Sequence, residues 1–305
     1  MAMREEAVLA RVKELLPGGA GLTDDCGQVP GAGKLLVTTD LMEEGTHFLR
    51  EWHPPRLLGR KLLTVNLSDL DASGARPVGF TLTLALPPDL DPAWVDALLE
   101  GLAEAAREAG IPVLGGDTVG RPAGIGLGLT ALGRADRWLD RSGVVPGDRI
   151  FVDQPLGCSL RGLRALRAGR RWDPACPDPD LAAHLDPRPN LGLGPRLAAL
   201  PEVHACLDLS DGLSTDLRRL AVASGCSLEL IDGIAPEELE GGEDYARCFA
   251  SSLDQAALEA RLGVPLRAVA VAIPEASAPL LAIRDGVRQP LPDLGFDHFP
   301  AAGDR

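Results

Sequence analysis

The sequence has no uninterrupted apolar run of membrane-spanning length, no Cys-x-x-Cys pair, no histidine at zinc-ligand spacing, and too little positive charge to balance its acids. Each absence excludes something. A membrane-spanning helix needs about 20 apolar residues, so none is expected. Six scattered cysteines, Cys26, Cys158, Cys176, Cys206, Cys226 and Cys248, predict buried reduced thiols rather than disulfides or a metal site. With 30 Lys and Arg against 44 Asp and Glu, the net charge of -14 opposes nonspecific binding to nucleic acid or to an anionic membrane. An anionic substrate would then need metal ions or local cations. The start, Met-Ala-Met-Arg-Glu-Glu, leads into a mixed helix rather than an apolar segment, so no signal peptide is expected and the cytoplasm is the expected compartment. Nor is there a G-x-x-x-x-G-K-[ST] loop, a G-x-G-x-x-G fingerprint or a G-x-S-x-G elbow, which removes the common phosphate, dinucleotide and serine-hydrolase signatures.

What is present suffices for two cores: 305 residues, 45% of them hydrophobic. Residues 4 to 16 carry Val8, Val12, Leu15 and Leu16 on one helical stripe before Pro17-Gly-Gly stops it. Leu35 to Thr39 predicts a strand, residues 56 to 71 a helix, Phe80 to Leu86 an alternating strand, Pro92 to Ala109 a helix with Trp94 in its core stripe, Pro112 to Leu114 a short strand, and Gly124 to Leu132 another alternating strand. That order closes a first α/β domain, residues 1 to 138. The second, residues 139 to 305, begins with a strand at Arg149 to Val152. A helix follows over Leu156 to Ala168, with Arg161, Arg164 and Arg167 as a solvated face. Next come an irregular Pro- and Asp-rich connection from Arg170 to Pro195, a short helix over Asn190 to Leu200, a helix from Leu213 to Ser224 stopped by Gly225, strands Ser227 to Ile231 and Arg267 to Ile273, and a helix over Leu253 to Leu262.

The acids recur at the ends of these elements. Asp40 follows the first strand, Asp69 ends the polar Asn66-Leu-Ser-Asp69 step of the first long helix, Asp117 follows Gly115-Gly116, Asp208 and Asp211 flank Leu-Ser210, and Glu243-Asp244 follow Gly241-Gly242. Asn66-Leu-Ser-Asp69 before Gly115-Gly-Asp117 is echoed by Asp208-Leu-Ser-Asp211 before Gly241-Gly-Glu-Asp244. Thr23-Asp24-Asp25 fits either a solvated turn or a cation site. Carboxylates among hydroxyls and glycines are hard-oxygen chemistry, suited to Mg²⁺ and poor for zinc. Magnesium ions would also let an acidic protein bind a nucleotide polyanion.

Asp24-Asp25, Val37-Thr-Thr-Asp40, Gly45-Thr-His47-Phe, Val65-Asn-Leu-Ser-Asp69, Leu114-Gly-Gly-Asp117, Arg141-Ser-Gly, Asp208-Leu-Ser-Asp-Gly-Leu213, Gly241-Gly-Glu-Asp-Tyr245 and Gly295-Phe-Asp-His-Phe299 together resemble the thiamine-monophosphate kinase family, in order and across nearly the whole chain. The resemblance implies an α/β (α+β), two-domain fold of the aminoimidazole ribonucleotide synthetase-like type, with the N-terminal sheet pairing across a homodimer. It implies transfer of the ATP γ-phosphoryl to thiamine monophosphate, giving thiamine diphosphate, with Mg²⁺ and ATP as cofactors. Carried over position by position, Asp25, Thr38, Thr39, Asp40, Asp69, Asp117, Asp208 and Asp211 resemble metal positions. Gly116, Asp117, Arg141 and Ser210 resemble nucleotide contacts. His47, Glu243 and Phe296 fall where the family touches its thiamine substrate, and Arg141, Asp69 and Asp211 are the expected catalytic residues.

The sequence also departs from the family pattern. Thr23 stands for a glycine, Ala246 for a glutamate, the segment before Gly241 is cut to about Asp232 through Glu240, and Asp186 and Asn190 stand where basic residues are expected. Two other readings stay open at this point: an ATP-using enzyme of the same superfamily with a different acceptor, and a nucleotide-binding homodimer without catalysis.

Overall fold

The computed structural model describes residues 24, 26–28 and 34–296; the predicted helix at 4 to 16, Asp25 and the tail beyond Phe296 lie outside them. The first sheet is built from β1 (Gly27–Gln28), β2 (Leu35–Glu43), β3 (Ala75–Leu86), β4 (Val113–Gly120) and β5 (Gly126–Ala135), in the order β1-β2-β5-β3-β4. Its neighbours are antiparallel except β3 and β4. Two long helices, α1 (Pro55–Ala72) and α2 (Pro92–Ala109), cover one face. Leu58, Leu62, Leu63 and Leu70 of α1 join Leu98 and Leu102 of α2 over Leu36, Phe80, Leu127 and Leu129 of the sheet. The helices approach through glycine: a Cβ on Gly59 would lie 1.9 Å from the Leu98 carbonyl oxygen, and one on Gly101 1.8 Å from that of Arg56. Trp94 packs against this core, as its place in the stripe predicts.

The other face of the first sheet is open. Strand alternation and register put Leu41, Gly128, Thr83 and Asp117 in one row across it, and Thr39, Thr130, Thr81 and Gly115 in the next.

The second sheet contains β6 (Arg149–Val152), β7 (Val203–Asp208), β8 (Ser227–Leu230), β9 (Arg247–Ser251), β10 (Arg267–Ile273), β11 (Leu280–Arg284) and β12 (Val287–Pro290), ordered β12-β11-β8-β10-β6-β9-β7. Six further helices follow among the described residues: α3 (Cys158–Arg167), α4 (Pro179–Leu185), α5 (Leu193–Ala198), α6 (Leu213–Ser224), α7 (Pro236–Glu240) and α8 (Gln255–Leu262). This sheet is covered on both sides. Leu213, Leu217 and Leu220 of α6 pack on Val152, Leu207 and Ala250. Opposite them, Leu193 and Leu197 of α5 and Leu258 and Leu262 of α8 pack on Phe151, Cys206 and Phe249.

Several expectations change. The strand predicted over 112 to 114 continues through the glycines and Asp117 to Gly120, because it pairs in parallel with β3 along its length. The connection from 170 to 195 contains α4, whose start is set by the Asp178 side chain accepting from the Asp180 and Leu181 amides. The Arg-rich face of α3 is not simply solvated: Arg161 pairs with Asp180 at 3.0 Å and Arg164 with Glu240 at 3.2 Å. None of the six cysteines forms a disulfide; Cys26, Cys206, Cys226 and Cys248 are buried, Cys158 partly buried and Cys176 exposed.

The two sheets meet around α1, which buries every residue from Leu58 to Ala72 except Asp69. Behind Asp69 lies a polar hub. Arg247, fully buried, donates to the Ser68 carbonyl at 2.5 Å and to the Tyr245 carbonyl at 2.9 Å, with Asp71 at 3.7 Å. The Asp71 carboxylate accepts from the amides of Gly192 (2.6 Å) and Gly194 (2.9 Å), and Asp153 accepts from the Arg247 amide (2.7 Å) and Asn190 (2.8 Å). Burial raises the carboxyl pKa of both Asp71 and Asp153, with Arg247 opposing.

Candidate active site

Asp69 is only partly buried, and it faces the seam between the sheets, where the middle of β2 comes near the end of β7. Thr38 on β2 donates its hydroxyl to Asp69 Oδ2 at 2.6 Å. One residue earlier on α1, Ser68 donates its hydroxyl to Oδ2 of the buried Asp208 at the end of β7. Asp40 lies two residues beyond Thr38 on the same strand face. The side chain of Tyr245, buried in this seam, reports the convergence: its phenol pKa is raised by burial, then by Glu243, Asp40, Asp208 and Asp69. Four of the acids singled out in the sequence thus act on one phenol.

Beyond Asp208 the chain turns through Ser210 and Asp211 into α6. The carboxylate of Asp216, in the first turn, accepts from the Ser210 and Asp211 amides, both at 3.2 Å, and Arg219 bridges Asp211 (2.5 Å) and Asp216 (2.9 Å). Burial pushes the Asp216 carboxyl up to about 7, against Arg219 and with help from Asp211 and Asp208. Two segments dock on this turn by backbone. Glu243 N donates to Ser210 O at 2.7 Å and Phe296 N to Asp211 O at 2.9 Å. A side chain at Gly295 would collide with Asp211 O at 2.4 Å, so only glycine lets the tail come this close.

Glu243 and Asp244 separate in role. The Asp244 carboxylate accepts from the Gly157 (2.6 Å) and Ser159 (3.2 Å) amides at the start of α3, and burial pushes it up to about 6. Glu243 faces the seam instead, with Oε1 2.8 Å from Lys61 Nζ and Oε2 3.2 Å from His184 Nδ1. Burial would raise its pKa, but Lys61 and His184, with His47 adding, hold it below the usual carboxylate range. His47, whose Nδ1 accepts from the Glu43 amide at 3.0 Å, therefore lies on the Glu243 side of the seam.

Arg141 enters beside the N-terminal acids. Its Nε is 3.4 Å from Asp24 Oδ1, and its amide donates to Asp24 Oδ2 at 3.1 Å. The register of β1, with Gly27 opposite Val37, directs the chain at Asp24 toward the Thr38–Asp40 stretch in the middle of β2. Three expected residues are not brought to the acids. Thr39 points to the open face, donating to Leu129 O at 3.1 Å and lying 3.0 Å from Thr130 Oγ1. Asp117 lies exposed on the edge strand, accepting from the Thr118 amide at 2.9 Å. Gly116 is small for the sheet's own sake, since a Cβ there would lie 2.1 Å from Leu82 O. Phe296 is half-exposed beside the Asp211 turn, and Asp25 lies outside the described residues.

Among the described residues no group of three or more His, Cys, Asp or Glu is close enough to hold a metal by itself. The donor set is nonetheless all oxygen, with Asp69 and Asp208 each oriented by a neighbouring hydroxyl. Mg²⁺ is usually held this way, by one or two carboxylates completed by water and substrate phosphate. The residues fit that open form and not a closed protein cage.

The AIR synthase related protein, N-terminal domain, family matches residues 23–135. Over 303 residues the chain is 36% identical to thiamine-monophosphate kinase of Escherichia coli, covering 92% of this chain and 91% of that one. The chain belongs to the thiamine-monophosphate kinase family. The structure of AaThiL complexed with AMPPCP and TMP superposes with a TM-score of 0.82 at 28% identity, covering 97% of each chain. Thiamine-monophosphate kinase from Stenotrophomonas maltophilia gives a TM-score of 0.72 at 29% identity, over 94% of this chain and 98% of that one. The α/β fold expected from the motifs is thereby borne out.

Within this kinase fold the sequence reading missed Lys61, His184, Asp216 and Arg219. Lys61 gave one signal, a cation in the apolar stretch Leu62, Leu63 and Val65 of a helix. Asp216 had the ordinary look of a first-turn acid. His184 gave none.

Proposed function

We propose that this chain transfers the ATP γ-phosphoryl to thiamine monophosphate, forming thiamine diphosphate. The observation that carries the reading is the approach of Asp40, Asp69, Asp208 and Glu243 to one seam, in a chain 36% identical to thiamine-monophosphate kinase of Escherichia coli over 92% of its length. The accepting phosphate monoester has a second pKa of roughly 6 and is largely dianionic at pH 7, so no general base is needed. The protein's part is alignment and charge control.

Asp40, Asp69, Asp208 and Asp211, with Thr38 and Asp25, would hold Mg²⁺. The ion would supply charge neutralisation on the transferring group. Thr38 and Ser68 fix the orientation of Asp69 and Asp208 by the hydroxyl contacts described. Ser210, in the turn ahead of α6, would contact the donor phosphates through its side chain, since its amide is held by Asp216, and Arg141 adds a full charge from the Asp24 side. His47, Glu243 and Phe296 take the acceptor; the ionised Glu243 complements the permanent cation of a thiazolium ring.

Thr39, Gly116 and Asp117 lie on or beside the open sheet face, away from the acids, and would reach a ligand only where a second subunit closes that face. The face shows Leu41 at 58% and Val119 at 47% exposure, which supports a homodimer through the first sheet. Two domains divide between Ala135 and Arg149, near residue 138. No described helix is long and apolar enough to cross a membrane, and the use of ATP fits a cytoplasmic enzyme. The deciding experiment is a coupled assay of ADP release. Release that depends on both thiamine monophosphate and Mg²⁺ is expected, and ADP release indifferent to thiamine monophosphate would reject the reading.

A further inference from the structure

Lys61 sits in the middle of α1 with no exposed surface. An ammonium taken out of water costs several kcal/mol unless it is paired, and the helix positions around it, Leu58, Leu62 and Val65, are apolar. Its partners explain its retention. Nζ donates to the His184 carbonyl at 2.9 Å and pairs with Glu243 Oε1 at 2.8 Å, while the His184 ring lies 3.2 Å from Oε2 of the same carboxylate. Both carboxylate oxygens thus face protein nitrogens, with His184 Nδ1 also 3.1 Å from Ser159 Oγ. Yet 26% of the Glu243 side chain remains exposed, toward the seam that also holds His47.

The backbone tells the same story. Glu243 has φ +60, a left-handed conformation that costs a non-glycine residue about 1 kcal/mol or more, and its amide is tied to Ser210 O at 2.7 Å. Strain, a buried cation and a buried imidazole are thus all spent on aiming one carboxylate. A helix needing only a core would be served as well by leucine at position 61.

We propose that Lys61 is a positioning residue for the acceptor: from inside α1 it fixes the Glu243 carboxylate against the seam and touches no substrate itself. The proposal rests on the reading of Glu243 as an acceptor contact. Its signature is a rise in acceptor KM with ATP KM unmoved, which a purely structural lysine would not produce. The test compares Glu243→Gln, Lys61→Met and the double variant in steady-state kinetics with thiamine monophosphate and ATP varied separately. Glu243→Gln and Lys61→Met should each raise acceptor KM tenfold or more, leaving ATP KM within twofold. The double variant should match Glu243→Gln within twofold, because Lys61 acts only through that carboxylate. A double variant whose acceptor KM rises by the product of the single effects, or a Lys61→Met protein whose ATP KM rises in parallel, overturns the proposal. If Lys61→Met alone does not fold, the double variant leaves no unpaired buried charge and still makes the comparison with Glu243→Gln. A Glu243→Gln protein with parental acceptor KM would instead remove the acceptor-contact reading itself. Raised KM in Glu243→Gln beside parental KM in Lys61→Met would remove only the role of Lys61.

Discussion

Asp69 and Asp71 stand two residues apart on one helix and belong to different regions. Asp71 turns into the hub between the sheets, where two backbone amides and Arg247 hold it and little of it meets solvent. Asp69 turns into the seam, oriented by the Thr38 hydroxyl and grouped with other acids. A carboxylate surrounded by donors of the fold is part of the scaffold, whereas a partly exposed carboxylate that a hydroxyl orients toward other acids is placed to meet a bound cation. The same residue type is thus structural or functional according to what faces it.

The strongest way to break that contrast is Asp69→Asn. Its shape and most of its hydrogen bonding survive, so the melting temperature without Mg²⁺ should stay put or rise slightly, while single-turnover phosphoryl transfer falls at least about a hundredfold, roughly 2.7 kcal/mol. A variant that melts early yet transfers phosphate at the parental rate would place Asp69 with the scaffold. Asp71→Asn should do the reverse. Loss of charge opposite the buried Arg247 is expected to lower stability by about 2 kcal/mol in denaturant unfolding, with kcat at permissive temperature within about fivefold of the parent.

Ser68 belongs to both regions, since its carbonyl accepts from Arg247 and its hydroxyl orients Asp208. Ser68→Ala removes only the second contact. Turnover should fall about fivefold, near 1 kcal/mol, with unfolding little changed, and a large stability loss without a rate effect would show that hydroxyl serving the hub.

An effect that appears only as pH changes concerns His184, buried like the hub but partnered with the seam through Glu243. Burial first, then the nearby Lys61, lowers its pKa to about 4. The native state therefore binds fewer protons than the unfolded chain, whose histidine titrates near 6.5, so stability present above about pH 6.5 is lost as pH falls toward 4. The slope integrates to at most about 3 kcal/mol. It should flatten in His184→Gln, as read by chemical unfolding across that range; an unchanged slope would assign the acid sensitivity to other groups.

Much of this was legible in the sequence because the signals were local. The helix from Pro92 to Ala109 carries an Asp91 cap and a Gly110 stop, and α6 ends at Gly225 as its stripe requires. Strands β7 and β9 left no alternation to detect, since helices and neighbouring strands bury nearly every residue of both. Helix α4 was hidden by its own start signals, an Asp178 cap and Pro179 in the first turn, set in a stretch rich in both residue types. The acids of the site stood out through their spacing, and their shared hydroxyl residues marked them further. The placement of Lys61 and His184 behind Glu243 did not, because it depends on three segments far apart in the chain.

One consequence concerns the rim of the first sheet. Strand β4 is an edge strand eight residues long and exposed at every position. Such an edge is a template for adhesion between misassembled chains. Gly115, Gly116 and Gly120 are poor strand formers, and the charge of Asp117 stands in the middle of the row. These residues let the edge stay uncovered in solution without recruiting foreign strands. The resistance of the enzyme to aggregation and the openness of this sheet edge therefore depend on the same four positions, and Asp117→Val should show itself first as turbidity on concentration.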